Sequence, residues 1–202
     1  MENGQITKEK IKKIMEIPGK VRGTVFQTDA EYIRAKKGEE GLARVKEELK
    51  KIDCPIDYEN IKATGWYPIG LRLVSLLAIQ KVFDFGAKDI EEMGNAAPKY
   101  SFIVKSLLKY FLSFPKTYKE ASNYWRKHYT VGILEGANYN LKEKYYTLHL
   151  KGFKIHPVLC AYLGGYFIRI GQFVLKGSDF QVKETKCMFR DDPYHEFVVR
   201  WK

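Results

Sequence analysis

Cysteine is scarce in this chain: Cys54, Cys160 and Cys187 are its only three in 202 residues. So few, so scattered, they exclude the disulfide framework of a small secreted domain. Long unbroken apolar runs are missing too. The two longest, Leu71 to Phe83 and Pro157 to Leu175, are interrupted by Gln80, Lys81, Arg169 and Gln172, and neither reads as a membrane span. The opening MENGQITKEKIKKIME is charged and carries no apolar signal core. Together these absences predict a soluble, cytoplasmic protein. The marks of catalysis are absent as well. There is no Gly-rich phosphate loop, no nucleophile beside a base and no convincing pair of carboxylates. Glu39-Glu40 and Asp191-Asp192 read as helix surface and turn. The expectation is a protein that is not an enzyme.

What is present is globular in character. Hydrophobic residues make up 45% and aromatics 14% of the chain, which is enough for one well-cored domain at this length. The net charge of +11 is uneven, because the excess of lysine lies between Lys99 and Lys154. Without an arginine-rich helix or aromatic-interleaved motif, it reads as a solvated face, and nucleic acid is not the expected partner.

The periodicity gives an order of elements. Ile6 to Ile17 reads as a short helical arm stopped by Pro18-Gly19, so residues 1–19 form an appendage to a single domain over 20–202. Val21 to Phe26 alternates like a strand. Thr28-Asp29-Ala30-Glu31 reads as a capping box opening a helix. GEEGLARVKEELKKI sets Leu42, Val45 and Leu49 on one helical stripe. Trp66 to Phe85 reads as a buried helix entered near Pro68. Lys88 to Met93 and Ser101 to Phe114 follow as helices parted by a turn at Ala96-Ala97-Pro98, then a helical stretch over Tyr118 to Tyr129. From Val131 the period falls to two, giving a hairpin, a long helix from His156-Pro157 to Lys176-Gly177, and a last pair of strands. The order, helices first and then β-β-α-β-β, is α+β, with an antiparallel sheet carrying the helices.

The last hairpin, ETKCMFRDDPYHEFVVRW, gathers unusual chemistry. Cys187 and His195 lie symmetrically about the turn at Asp191, so they face each other across the strands, close enough to share a cation. Glu184 sits three residues before Cys187, on the opposite pleat of a regular strand; only a bulge brings it round. Cys160, in the first turns of the preceding helix, is a fourth candidate. A Cys, Cys, His and Glu shell suits tetrahedral zinc with no open position, a structural rather than catalytic site. Spacing alone leaves a second reading open, in which Cys160 and Cys187 are small buried hydrophobes.

HPVLCAYLGGYF followed by ETKCMFRDDPYHEFVVRW resembles the C-terminal half of the 4-vinyl reductase domain family, over residues 130–202. Its pattern is a cysteine opening an apolar helix, Glu-x-x-Cys, a Gly-Asp-Pro turn and Cys-x-Phe. Members that act as phenol-responsive sensor domains bind structural zinc at those positions. The resemblance thus implies a zinc site of Cys160, Glu184, Cys187 and His195. His195 stands where the family has cysteine, and Asp191-Asp192-Pro193 replaces Gly-Asp-Pro. The stretches KVRGTVFQTDAEYI, GEEGLARV, WYPIGLRL and YWRKHYTVG resemble a broader bacterial group related to that domain. The implied fold is the one shared with heme-type nitric-oxide sensors and vesicle-tethering subunits, built around an apolar ligand cavity.

The implied occupant of that cavity is a hydrophobic or aromatic small molecule. Phe111, Trp125, Tyr129, Tyr139, Tyr146, Tyr162 and Phe167 are its candidate walls, each of which also reads as plain core. Heme is not expected, since the Tyr-x-Ser-x-Arg motif of the nitric-oxide sensors is absent. Tyr139 falls opposite the tryptophan anchor of the phenol sensors and no histidine falls opposite the other, so phenol is not implied. Gly164-Gly165 in a buried helix calls for a close neighbour, which is another helix, a symmetry mate or a ligand; the resemblance implies a homodimer, so helix packing is expected first and a cavity mouth second. The expectation is a zinc-stabilised sensor-type domain working through a protein partner. The alternative is a dimeric scaffold with a trapped lipid.

Overall fold

The computed structural model describes residues 8–101 and 113–202. Its fold is α+β. Helices α1 (Lys8–Met15), α2 (Thr24–Lys51), α3 (Ile69–Phe83) and α4 (Ala87–Tyr100) come first, with two short strands, β1 (Lys20–Arg22) and β2 (Trp66–Pro68), paired antiparallel among them. Two single-turn helices, α5 (Phe114–Lys119) and α6 (Ala121–Arg126), lead into the hairpin of β3 (Ile133–Asn140) and β4 (Tyr145–Lys151). Then come the long helix α7 (Pro157–Val174), β5 (Gln181–Lys186), a 3-10 turn (Met188–Arg190) and β6 (Tyr194–Arg200). The main sheet is antiparallel throughout, in the order β3-β4-β6-β5.

Alternation places this sheet. Tyr146, Leu148 and Leu150 of β4 are buried, as are His195, Phe197 and Val199 of β6, which pair with them in register. Their neighbours Thr147, His149, Glu196 and Val198 lie on the outer face, so one face of the sheet is core and the other meets solvent. The inner face is covered by α7, and α7 is crossed in turn by α4.

That crossing explains the glycine pair. A Cβ on Gly165 would overlap the carbonyl oxygen of Glu91, and a Cβ on Gly94 would overlap the carbonyl oxygen of Tyr162. Each helix offers a glycine where the other's backbone passes. Asn95 Nδ2 donates to the Gly165 carbonyl at 3.2 Å, and Arg169 Nε donates to the Asn95 carbonyl at 3.0 Å, so the contact is also hydrogen-bonded.

Three local expectations give way to tertiary structure. The strand expected at Val21 to Phe26 is only Lys20–Arg22, because α2 begins at Thr24. Thr28 is therefore no cap. Its hydroxyl donates to the Val25 carbonyl at 3.0 Å inside α2, and Asp29 beside it is fully buried against Arg72. The turn expected at Ala96-Ala97-Pro98 is helix, since α4 runs on to Tyr100. Proline in the last turn forfeits one backbone bond, while Ile90, Met93 and Ala97 gain full burial. Of the helix expected over Ser101 to Phe114, residues 102–112 lie outside the described residues. α2 carries the GEEGLARV stripe as expected, with Leu42, Val45 and Leu49 buried, after a break at Gly38, whose φ of 71° suits glycine.

Gly165→Ala tests the crossing. Alanine is the better helix former by about 1 kcal/mol, yet separating two packed backbones outweighs that, and a net loss of roughly 2 kcal/mol is expected from urea denaturation.

The start of α7 titrates. His156 caps it, its Nδ1 accepting from the Val158 backbone N–H at 3.1 Å, and burial holds its pKa below the ordinary 6.5. The unfolded chain therefore binds the proton more readily, so this contribution to stability is present above pH 6.5 and lost as the pH falls toward the folded value. His156→Asn keeps a capping acceptor without titrating. Its stability is expected to fall less than wild type between about pH 7.5 and 5.5, as read by urea midpoints.

Candidate metal centre and the adjoining cavity

Four side chains from three elements converge at the N-terminal end of α7. Cys160 comes from its first turn, Glu184 from β5, Cys187 from the residue after β5 and His195 from β6. Their ligand atoms all lie within 4.8 Å of one another.

The local folding of the last hairpin achieves this. β5 pairs with β6 so that Glu184 faces Phe197, but Lys186 faces Glu196, leaving Thr185 as one extra residue. This bulge turns Glu184 to the same side as Cys187. Cys187 and His195 stand one step beyond the last ladder pair. The turn is tied tightly around Cys187: its N–H donates to Asp192 Oδ2 at 2.8 Å, and its carbonyl accepts from Arg190 N at 2.7 Å. Asp191 takes the left-handed conformation, with φ of 63°.

The donor set suits a cation. His195 Nε2 lies 3.2 Å from the Phe153 carbonyl oxygen, an acceptor for its N–H, so in the Nε2–H tautomer Nδ1 can offer its lone pair to a cation in the cluster. Nδ1 stands 2.8 Å from Glu184 Oε1 and 3.7 Å from Cys160 Sγ. A sulfur and a nitrogen on one tetrahedral zinc are about 3.6 Å apart. Burial pushes the Cys160 thiol far above its ordinary pKa, and the Glu184 charge and Cys187 add to the rise. Burial also works to raise Glu184, but hydrogen bonding with His195 and Cys187 outweighs it and leaves the carboxyl below its ordinary value. Three acidic groups crowded in a half-dry site repel one another once ionised; a shared divalent cation removes that conflict.

Further along α7 lies a cavity of about 100 Å³. The helix supplies Tyr162, Leu163, Tyr166, Phe167 and Ile170 to its wall, and Trp125 and Tyr129 face them from α6 and the residues after it. Tyr146 and Leu148 of β4 close the sheet side. Of the seven aromatics expected as walls, Trp125, Tyr129, Tyr146, Tyr162 and Phe167 line this cavity. Tyr139 does not: it is 38% exposed near the end of the edge strand β3, packed against Phe114 and Tyr118. Phe111 lies outside the described residues.

Other residues drawn into the site escaped the sequence reading. Tyr166 and Ile170 follow Tyr162 at helical spacing, a signal that was there to read. Asp29 and Arg72 were not legible as partners. Both are fully buried and ion-paired, with the guanidinium 4.6 Å over the Tyr162 ring and the Tyr162 hydroxyl donating to Asp29 at 3.2 Å. His128 also lines the cavity. Its Nδ1 lies 3.1 Å from the Tyr124 carbonyl oxygen, and burial holds its pKa below the ordinary value.

No family model matches the chain, and neither does any curated protein. Solved structures do. An H-NOX protein from S. oneidensis in the Fe(II)NO ligation state aligns over 90% of this chain and 99% of its own, with 12% identity and a TM-score of 0.67. The H-NOX domain of Shewanella oneidensis in the Fe(II)CO state aligns over 90% and 98%, at 10% identity and a TM-score of 0.66. An Fe(II) unliganded mutant H-NOX protein from K. algicida aligns over 90% and 96%, at 12% identity and a TM-score of 0.62. At such identities the likeness is one of fold, and the fold of this chain is that of the H-NOX domains.

Proposed function

We propose that residues 20–202 form a non-catalytic, sensor-type domain that binds a hydrophobic small molecule, is held together by a structural zinc, and acts through a partner protein. The observation that carries the reading is that one helix serves both features. α7 offers Cys160 to the four-donor cluster from its first turn and Tyr162, Tyr166 and Ile170 to the cavity from later turns. The resemblance of HPVLCAYLGGYF and the last hairpin to the 4-vinyl reductase domain supports the same reading, as does the fold shared with H-NOX domains.

Cys160, Glu184, Cys187 and His195 would hold the zinc. Four protein ligands leave it no open position, so its part is to tie α7 to the end of the sheet. The cavity is predominantly apolar, and its described wall carries no carboxylate, lysine or arginine. That lining favours a small uncharged molecule over a heme, whose propionates need cationic or N–H partners. A cavity of about 150 Å³ is enough for benzene, and this one, at about 100 Å³, is far below what a porphyrin fills. His128 alone does not make up that difference.

Elemental analysis of metal-replete protein tests the zinc. A structural site is close to saturated, so about one zinc per chain is expected. Less than half an equivalent rejects the site. Cys187→Ser and His195→Ala should each lose the metal and lower Tm by about 5–10 °C, the shift that 2–3 kcal/mol produces at this size.

A further inference from the structure

The cavity wall spends several of its polar atoms on the protein itself. Trp125 Nε1 donates to the Val131 carbonyl at 2.9 Å, the Tyr146 hydroxyl to the Phe167 carbonyl at 2.7 Å, and the Tyr162 hydroxyl to Asp29 at 3.2 Å. His128 differs from these. It lines the cavity at 9% exposure, and its Nε2 is buried with no hydrogen-bond partner among the described residues. No other buried side-chain nitrogen or oxygen of the described wall is left in that state.

The surroundings fix what this nitrogen offers. Nδ1 lies 3.1 Å from the Tyr124 carbonyl oxygen, which can only accept, so Nδ1 carries the ring proton. Positive charge stands close by: the Arg22 backbone N–H donates to the His128 carbonyl at 2.9 Å, and Arg22 Nε donates to the Lys127 carbonyl at 3.1 Å. Burial, and then the Arg22 and Lys127 charges, hold the imidazole below its ordinary pKa of 6.5, so the ring is neutral at pH 7. A neutral ring protonated on Nδ1 presents a bare lone pair at Nε2. Leaving a buried acceptor without a donor is costly, and an occupant of the cavity is positioned to supply one.

That lone pair selects the occupant. A ketone, ether or carboxylate would set lone pair against lone pair. An ammonium ion would enter near Arg22 with no carboxylate on the described wall to balance it. A neutral hydroxyl donates to Nε2 without either conflict. Tyr129 and Tyr166 also line the space, and burial pushes both phenols up, so they keep their protons. Such hydroxyls can donate or accept, and the choice of class falls to His128. A volume of about 100 Å³ limits the body to about one small ring, since about 150 Å³ takes up benzene. We propose that the cavity binds a small uncharged alcohol, an apolar body carrying one hydroxyl, whose O–H donates to His128 Nε2. This rests on the ligand-binding reading of the cavity given above and adds the chemical class and the residue that recognises it.

The probes are cyclopentanol and cyclopentanone, of nearly equal shape, titrated calorimetrically into the full-length, metal-replete protein. Wild type is expected to bind the alcohol about tenfold more tightly, the worth of one hydrogen bond. His128→Phe should remove that preference while changing cyclopentanone by less than about twofold, which also reports that the variant is folded. Nitrogen-15 NMR of the wild-type ring gives a second readout: the Nδ1–H tautomer, with an Nε2 signal that moves on adding cyclopentanol and not cyclopentanone. Equal binding of the two probes, an alcohol preference that survives in His128→Phe, or an Nε2–H tautomer overturns the alcohol site and leaves the cavity reading intact. Hemin taken up with an iron–imidazole spectrum that His128→Phe abolishes overturns it as well. Failure of both probes to bind wild type overturns the cavity reading and this proposal with it.

Discussion

The backbone contact between α4 and α7 sets the position of everything else. Gly94 and Gly165 let the two helices pass with main chain against main chain, and Asn95 and Arg169 fasten the crossing with hydrogen bonds. α7 is thereby pressed between α4 on one side and the sheet on the other. Its first turn then meets the end of the last hairpin, and its later turns face the aromatics of α6 and β4. Larger side chains at the crossing would move the helix axis outward, because packed interiors transmit a volume change rather than absorb it. The donor cluster and the cavity wall would shift together.

The polar groups buried by this arrangement are handled in pairs. Asp29 and Arg72 neutralise each other in a fully dry place, with Tyr162 completing the group by its hydroxyl and its ring face. Such a pair adds little net stability, since desolvation of two charges offsets their attraction. Its effect is local: the Arg72 charge is kept off the cavity wall. At the first turn of α7, three acidic donors and one imidazole form a second group. The first arrangement pairs opposite charges; the second gathers donors that could hold a cation.

Much of the candidate site was legible in the sequence. Cys160, Glu184, Cys187 and His195 stood out by residue type, and the symmetry of Cys187 and His195 about the turn already implied that they face each other. The helical stripe of Leu42, Val45 and Leu49 and the period-two strands after Val131 were equally plain. Where the reading failed, tertiary packing overrode a local signal. Thr28-Asp29-Ala30-Glu31 has the form of a capping box, yet Asp29 is drawn inward by Arg72, 43 positions away, and the helix extends back past it. Pro98 resembles a breaker, yet burial of its neighbours carries α4 through it. Tyr139 has the chemistry of a wall residue but sits on an edge strand, facing solvent in part.

By itself the sequence determined the residue types, the local periods and the order of elements: helices, then β-β-α-β-β, with two cysteines, a histidine and a glutamate near the C-terminus. These follow from interactions within a turn or a strand pair, and so are written locally. Only the tertiary structure decided that Thr185 forms a bulge, that Glu184 turns toward Cys187, and that Cys160 reaches them from another element. It also decided that the Tyr118, Tyr146 and Tyr162 hydroxyls are spent on the protein. Such outcomes depend on angles and distances between segments far apart in the chain, where a shift of one residue in register reverses the direction of a side chain.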